Sequence, residues 1–386
     1  MKLRAAFAAL AVGALLLPAA AATLRATLIV PTDDARRERT RLERAYLGHP
    51  GGPARDGVQL ALDESRFELD AAGSAVAVDS VAAATLDAAR AAAQQAERAG
   101  AAMLLTDLPA DWTRTVADAV KLPVLNIGSA DDALRQADCR ANLWHLMPSE
   151  RMRADALAQA LVARRWSNVL LLSGPSASDA IRAAAVQAAL KRYGLKLVAS
   201  KPFKLSADPR ERELANPLLL TGGVAYDVVW VVDSDGEFAR ALPYRTSLPR
   251  PVVGDAGLTA LAWHAQFERF GAPQVVRRFA KAALRPMTPH DWAAWVGGRA
   301  LVAAAVAAPK GPAAAWAKAL AGNDLDGSKG VTLSFRAWDG QLRQPLLLTD
   351  GQAVIGSAPV DGILHPRNAL DTLGADAPEK LCRARS

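Results

Sequence analysis

The sequence is poor in cysteine, in aromatic residues and in long apolar runs. Two of its 386 residues are cysteine, and 5% are aromatic. After Ala22 no apolar run approaches the roughly 18 residues that cross a bilayer, so the sequence predicts no membrane span in the mature chain. Motifs for nucleoside phosphates, dinucleotides, nucleophilic serine and zinc are also missing, and the five histidines are scattered. We therefore expect a protein that is not an enzyme and carries no cofactor.

Charge does not indicate nucleic-acid binding. The net charge is +7, but acidic and basic residues are mixed along the chain. The densest cluster, DDARRERTRLERAY, alternates in sign and has no interleaved aromatics that would stack on bases. Its arginines, Arg36 to Arg44, have two interpretations. They form a solvated helix face, or they dock a partner protein.

The N-terminus has the layout of a secretory signal peptide. Lys2 and Arg4 form a basic region, residues 5–17 are apolar, and residues 20–22 are small alanines that fit a cleavage site. The alternative is a buried N-terminal helix. We predict that residues 1–22 are removed and that the mature protein, beginning near Thr23, is exported to the periplasm.

The two cysteines, Cys139 and Cys382, would then lie in an oxidising compartment. A disulfide between them is predicted, and it would fasten the C-terminal tail to the middle of the chain. Two free buried thiols remain the alternative, because the sequence does not show whether the pair lies within bridging distance.

Strand and helix patterns alternate through most of the chain. The strand ATLIVP, for example, is followed by the helical pattern GVQLALDESRFELD, and the rhythm restarts at MRADALAQALVARRW, with Ser149 as its N-cap. Strands separated by helices of 10–15 residues predict parallel sheets. Later, Thr288 caps a helix with Pro289 at its first position, and turns at Asp339-Gly340 and Asp350-Gly351 predict antiparallel hairpins. The sequence therefore predicts an α/β protein with two lobes.

Small polar and acidic residues follow the predicted strands, where open α/β sheets bind ligands. Asp33 follows the first strand, Ser129 to Asp132 follow LPVLNIG, and RWSNVLLLSGPSASD runs from a strand into a helix through Ser176. Such residues are also helix caps and turn formers, so each one taken alone is ambiguous. As a set they predict a cleft. Ser176 is expected to face it, and Ser178 or Asp179 to cap the helix.

Several long segments carry a family resemblance. PARDGVQLALDE, LPVLNIGSADDAL and the second α/β half resemble type I periplasmic substrate-binding proteins, the receptors of branched-chain amino acid type ABC importers. More narrowly, DCRANLWHLMPSERMRADALAQALVARRW, ANPLLLTGGVAYDVVWVVD, LPYRTSLPRPVVGDAGL and LSFRAWDGQLRQPLLL are similar to the subgroup found with PQQ-dependent alcohol dehydrogenase systems.

The resemblance implies two lobes, each a mainly parallel sheet flanked by helices, joined by three crossings and closing on a small solute. Lobe one would comprise residues 23–132 and 252–326, and lobe two 133–251 and 327–386. The protein would be a monomer that delivers its solute to an ABC permease in the inner membrane. The implied ligand-binding residues are Thr106, Asp107, Ser129, Ala130, Ser176, Asp179, Asp233 and Asp255.

The sequence departs from the family pattern at two places. LLTDLPAD stands where a glycine-rich ligand loop is usual, and GPSASD lacks the aromatic residue that usually follows the second-lobe strand. The resemblance therefore implies the two-lobed fold but not a specificity for amino acids.

Two other functions remain open. The first is a calcium or lanthanide receptor, because hard cations take several oxygen ligands and Asp-rich strand ends supply them. Its candidate ligands are Asp33, Asp131, Asp233 and Asp235. The second is a sensor or accessory protein of the alcohol dehydrogenase system that uses the same cleft.

Overall fold

The computed structural model describes residues 22–37, 48–309, 311 and 313–385. The predicted signal peptide lies outside these residues, except for Ala22 at the start of the first strand. The first sheet has five parallel strands in the order β2-β1-β3-β4-β5. They are β1 (Ala22–Pro31), β2 (Ser74–Ala83), β3 (Met103–Thr106), β4 (Val124–Asn126) and β5 (Leu143–His145).

Helices cover both faces of this sheet, and its strands are buried on both sides. Leu28 and Leu105 enter the core on one face, whereas Ile29 and Leu104 enter the core on the other. We call the sheet and its helices the first lobe. The helices are α1 (Ala54–Glu64), α2 (Arg66–Ala71), α3 (Leu86–Arg98), α4 (Ala110–Ala119), α9 (Ala272–Ala283), α10 (Pro289–Ala307) and α11 (Ala313–Gly322).

The second sheet has four parallel strands in the order β7-β6-β8-β9. With its helices it forms the second lobe, which has its own two cores. The strands are β6 (Asn168–Ser173), β7 (Lys196–Pro202), β8 (Val228–Val232) and β9 (Val252–Gly254). The helices are α5 (Glu150–Ala163), α6 (Ala177–Arg192), α7 (Pro217–Thr221) and α8 (Glu237–Ala241).

A third, antiparallel sheet lies between the two lobes, in the order β10-β13-β14. Its strands are β10 (Thr259–Leu261), β13 (Leu346–Thr349) and β14 (Val354–Ala358). Leu347 packs in the first lobe, whereas Leu346 and Leu348 pack in the second. The alternation of side chains along β13 therefore joins the two cores. A two-stranded pair, β11 (Leu325–Asp326) and β12 (Thr332–Leu333), completes the strands.

Strand pairing places two of the expected lobe boundaries differently. β5 was expected in lobe two, but it pairs with β4 of the first sheet. β9 was expected in lobe one, but it pairs with β8 of the second. Both strands have three residues, so each one's place depends on long-range pairing that no local pattern shows.

Helix ends follow local sequence. Ser149 accepts a hydrogen bond from the Met152 amide at the start of α5, and Thr288 and Asp291 form a capping box at the start of α10, with Pro289 in the first turn. These bonds satisfy amides that a helix leaves unpaired at its N-terminus. The predicted hairpin turn at Asp350 and Gly351 joins β13 to β14.

The predicted disulfide is present. Cys139 and Cys382 are bonded, with their Cα atoms 5.6 Å apart across a separation of 243 residues. Arg385 supports the same attachment, because its guanidinium lies 4.1 Å from the centre of the Trp144 ring and donates to the Leu143 carbonyl at 2.8 Å. The C-terminal tail is thereby fastened to β5. Among the described residues, no helix is long and apolar enough to cross a membrane.

Candidate ligand-binding cleft

A cleft of about 800 Å³ runs between the two lobes. Its first-lobe wall follows the carboxyl ends of β1 to β4, and its second-lobe wall follows those of β6 and β8 together with the first turns of α5 and α6. In open α/β sheets this is the edge where ligands bind. The volume is in the range of small-molecule sites.

An ion-paired group stands at the first-lobe wall. Arg36 donates from Nη2 to Asp34 Oδ2 and to Asp107 Oδ1, both at 2.8 Å. Burial acts to raise the pKa of Asp34, but Arg36 outweighs it, and the net shift is downward. His290, in the first turn of α10, lines the cleft beside this group. Burial and the nearby Arg36 lower the pKa of His290 to about 3, so its imidazole is neutral at neutral pH.

The second-lobe wall holds another charged group. Glu150 accepts from Arg153 Nη1 at 3.2 Å and from Arg182 Nε at 3.3 Å. Arg182 also pairs with Asp255, just after β9. Burial acts to raise the pKa of Glu150, but the two guanidinium groups outweigh it, and the net shift is downward. This group ties α5 and α6 to the segment that leaves the second sheet.

The remaining lining is largely apolar. Trp112 on α4, Met147 before α5 and the exposed Ile181 on α6 face the cleft, with several alanines around them. Charged groups at both walls and an apolar surface between them suit a small solute that has a polar group and a carbon skeleton.

Two of the predicted ligand residues, Ser129 and Ala130, line the cleft. Asn126, at the end of β4, shapes their loop, because its Oδ1 accepts from the Gly128 amide at 3.2 Å and the Ser129 amide at 2.9 Å. The loop therefore presents backbone and side chain to the cleft in a fixed arrangement.

Thr106 and Asp107 lie directly behind the lining and are almost fully buried. Leu108 and Gly128, which contact Asp107 along the chain or in space, form the wall in front of it. Neither Thr106 Oγ1 nor Asp107 Oδ2 has a hydrogen-bond partner within the described part of the chain.

The four predicted second-lobe residues do not line the cleft, and their side chains have structural partners instead. Ser176 caps α6, and Asp179 completes the capping box and accepts from the Ser234 amide at 2.7 Å. Asp233 accepts from the Ala239 amide at 2.9 Å, and Asp255 from the Asp233 amide at 2.7 Å. The expectation that Ser176 faces the cleft is therefore wrong, because its hydroxyl is used at the helix end. Ser178 and Ser234 line the cleft on this side.

The aspartates proposed as cation ligands do not converge. Asp33 and Asp131 line the first-lobe wall, but Asp233 and Asp235 do not line the cleft. Within the described ranges, no group of three or more His, Cys, Asp or Glu side chains could hold a metal ion. The described part of the chain thus offers the metal-receptor alternative no site.

Several cleft residues have no local sequence signal. The pairs Arg36–Asp107 and Arg182–Asp255 join residues that are 71 and 73 positions apart. Trp112 and Ile181 resemble ordinary residues of amphipathic helices. Asp33, Ser129 and Ala130 follow predicted strands and are recognisable for that reason, whereas the cleft residues on helices have no such signal.

His290 gives a prediction for acid stability. Its folded-state pKa of about 3 lies below the unfolded value, so below about pH 6.5 the unfolded chain binds the proton more readily. The stability that neutral His290 contributes is complete above that pH and is lost as the pH falls toward 3. Between about pH 6.5 and pH 5, the free energy of unfolding of His290→Gln should therefore fall by about 1–2 kcal/mol less than that of the wild type. Urea unfolding at several pH values measures this, and equal slopes in the two proteins would contradict it.

No protein-family model matches the chain, and no curated protein sequence matches it. Solved structures match in fold. A branched-chain amino acid ABC transporter periplasmic ligand-binding protein from Burkholderia xenovorans is 13% identical, with a TM-score of 0.73 over 94% of this chain and 100% of the other. A solute-binding protein of an ABC transporter from R. palustris, in complex with benzoate, is 14% identical, with a TM-score of 0.66 over 87% and 96%.

A third match is the leucine-, isoleucine-, valine-, threonine- and alanine-binding protein from Brucella ovis in its closed conformation. It is 13% identical, with a TM-score of 0.65 over 84% of this chain and 89% of the other. At these identities the likeness establishes the fold. The chain has the two-lobed α/β fold of type I periplasmic binding proteins, as its sequence predicted.

Proposed function

We propose that the protein is an exported solute receptor that binds a small molecule between its lobes and delivers it to an ABC permease in the inner membrane. The observation that carries the proposal is the cleft, because charged groups from both lobes face each other across a partly apolar space. The solved neighbours, which include receptors for branched-chain amino acids and one with benzoate bound, support a small organic solute.

Affinity in this account comes from closure. Neither wall surrounds a ligand alone, so binding is strongest when the lobes approach and each contributes part of the polar contacts. Arg182 pairs with Glu150 in the first turn of α5 and with Asp255, directly after β9. This group is placed to respond to a ligand at the second-lobe wall.

The narrower proposal links the solute to PQQ-dependent alcohol oxidation. It rests on the long segments that resemble the receptors of those systems, together with the N-terminal pattern of an exported protein. A solute of that pathway would be an alcohol, a product of its oxidation or a molecule that accompanies them.

A thermal-shift screen of the mature, metal-stripped protein tests the receptor role. The panel contains amino acids, short alcohols and their acids, PQQ, calcium and a lanthanide. A solute present at about 100 times its dissociation constant stabilises the folded state by about 2.7 kcal/mol, so one organic compound should raise the melting temperature by several degrees. A shift with calcium or the lanthanide alone would contradict the proposal, and an alcohol or acid shift would support the narrower one.

A further inference from the structure

Two carboxylates of the first-lobe wall have oxygen atoms without a hydrogen-bond partner among the described residues. Asp33 is exposed at the cleft and makes no hydrogen bond or ion pair with another described residue. Asp131 accepts from the Ala133 amide through Oδ1 at 2.8 Å, which leaves Oδ2 without a hydrogen-bond partner among the described residues. Both lie where the loops after β1 and β4 reach the cleft. This wall therefore presents negative charge to a ligand.

Buried acceptor atoms lie behind the same wall. The Asp107 side chain is 2% exposed, and Oδ1 pairs with Arg36, but Oδ2 has no hydrogen-bond partner among the described residues. Thr106 Oγ1 and His290 Nδ1 are also buried and have no hydrogen-bond partner among the described residues. His290 itself lines the cleft, and a ring nitrogen of its neutral imidazole can accept a hydrogen bond. A buried polar atom without a partner is costly, so a ligand donor that reaches His290 Nδ1 from the cleft would be favoured.

The three arginines that line the cleft, in contrast, all pair with carboxylates of the protein. Arg36 is paired with Asp34 and Asp107, and Arg182 with Glu150 and Asp255. Arg153 pairs with Glu150 at 3.2 Å and also donates to the Ala260 carbonyl at 3.3 Å. An anionic ligand would have to compete with these carboxylates. A cationic ligand instead meets carboxylate oxygens of Asp33 and Asp131 that have no hydrogen-bond partner among the described residues.

The space between the walls suits the body of such a ligand. Trp112 is half-buried at the first-lobe side, and Met147 and Ile181 supply apolar surface. A cation is attracted to the face of an indole ring, and a carbon skeleton is desolvated by the aliphatic side chains.

From these four observations we propose that the solute is a small organic cation: an amine with an apolar body, whose charged nitrogen lies against Asp33, Asp131 and His290. The proposal rests on the receptor function and adds the chemical class of its solute. It runs against the charge of the whole protein, which is +7, so the selection comes from the cleft and not from the overall field.

Compounds that share one carbon skeleton test the head group alone. Titration calorimetry of the mature protein compares 3-methylbutylamine with 3-methylbutanol and 3-methylbutanoate at pH 7, and a second series compares ethylamine with ethanol and acetate. At least one amine should bind about tenfold or more tightly than its matched alcohol and acid, since a charged hydrogen bond is involved. Tighter binding of an acid, or no binding of any amine up to millimolar concentration, would overturn the proposal.

Variants locate the site. Asp33→Asn and Asp131→Asn keep the size of the side chains, and asparagine serves equally well at the N-cap position that Asp131 occupies. The double variant should weaken amine binding about tenfold or more. Asp79→Asn removes another exposed aspartate, on β2 and away from the cleft lining, and should leave binding unchanged. Equal affinities in the double variant and in Asp79→Asn would overturn the proposed site.

Small-angle X-ray scattering, which measures how compact the protein is with and without a ligand, separates this inference from the receptor function. If an acid binds and makes the protein more compact, the receptor role stands and the amine inference fails. If an amine binds without compaction, the solute class stands and closure fails.

Discussion

Replacing Ser178 by tryptophan is expected to weaken solute binding by about a hundredfold or more while the fold is retained. Ser178 is exposed in the first turn of α6 and lines the second-lobe wall. An indole placed there would stand between the walls and hold them apart. A receptor whose affinity depends on closure cannot accommodate that obstruction, even in a cleft of about 800 Å³.

The neighbouring residue provides the control. Ala177 is also exposed in the first turn of α6, but it does not line the cleft. Ala177→Trp should bind the solute found by the thermal-shift screen as the wild type does. Calorimetry of both variants, with melting temperatures as a check on folding, makes the comparison. Equal loss of affinity in the two would show that the helix end, and not the cleft, is responsible.

Removing the disulfide should lower the free energy of unfolding by about 2–5 kcal/mol. Cys139 and Cys382 close a loop across 243 residues, and the bond restricts the unfolded chain much more than the folded one. The bond also fixes the tail whose Arg385 contacts Trp144 and the Leu143 carbonyl. The double variant Cys139→Ala/Cys382→Ala avoids a leftover thiol.

Urea unfolding of the double variant is compared with that of the wild type before and after reduction. Limited proteolysis should release the C-terminal tail first in both the variant and the reduced protein. An unchanged unfolding midpoint would mean that Arg385 and the packing of the tail hold it without the bond.

Much of the architecture could be predicted because local sequence patterns determine it. The buried strands are short apolar runs, and several helices begin at a capping side chain. Ser149 and Thr288 were identified from sequence and occupy those positions in the structure. The alternation of strands and helices then leaves few topologies other than parallel sheets.

The sheet to which a short strand belongs was not predictable in the same way. β5 and β9 each have three residues, and their partners are chosen by packing across the molecule. The division into lobes was therefore expected too early at both points. β5 ends at His145 in the first sheet, and β9 ends at Gly254 in the second.

The cleft was predictable in position but only partly in its residues. Strand ends gave Ser129 and Ala130, and Thr106 and Asp107 lie one layer behind the surface. Asp179 was expected to cap α6, and it completes the capping box there. Ser176 and Asp179 do not line the cleft as expected, because a helix cap and a ligand-binding residue have the same sequence pattern. Arg36, Glu150 and Arg182 became recognisable only when the fold brought distant charges together.

Closure of the lobes on a solute is the central claim, and a distance measurement tests it most directly. Among the described residues there is no free cysteine, so spin labels at Asp87→Cys on α3 and Ala180→Cys on α6 report one distance between the lobes. Double electron–electron resonance should show a broad or long distance without solute and a shorter, narrower one at saturation. A distance distribution that stays the same when calorimetry shows the site to be full would contradict the account.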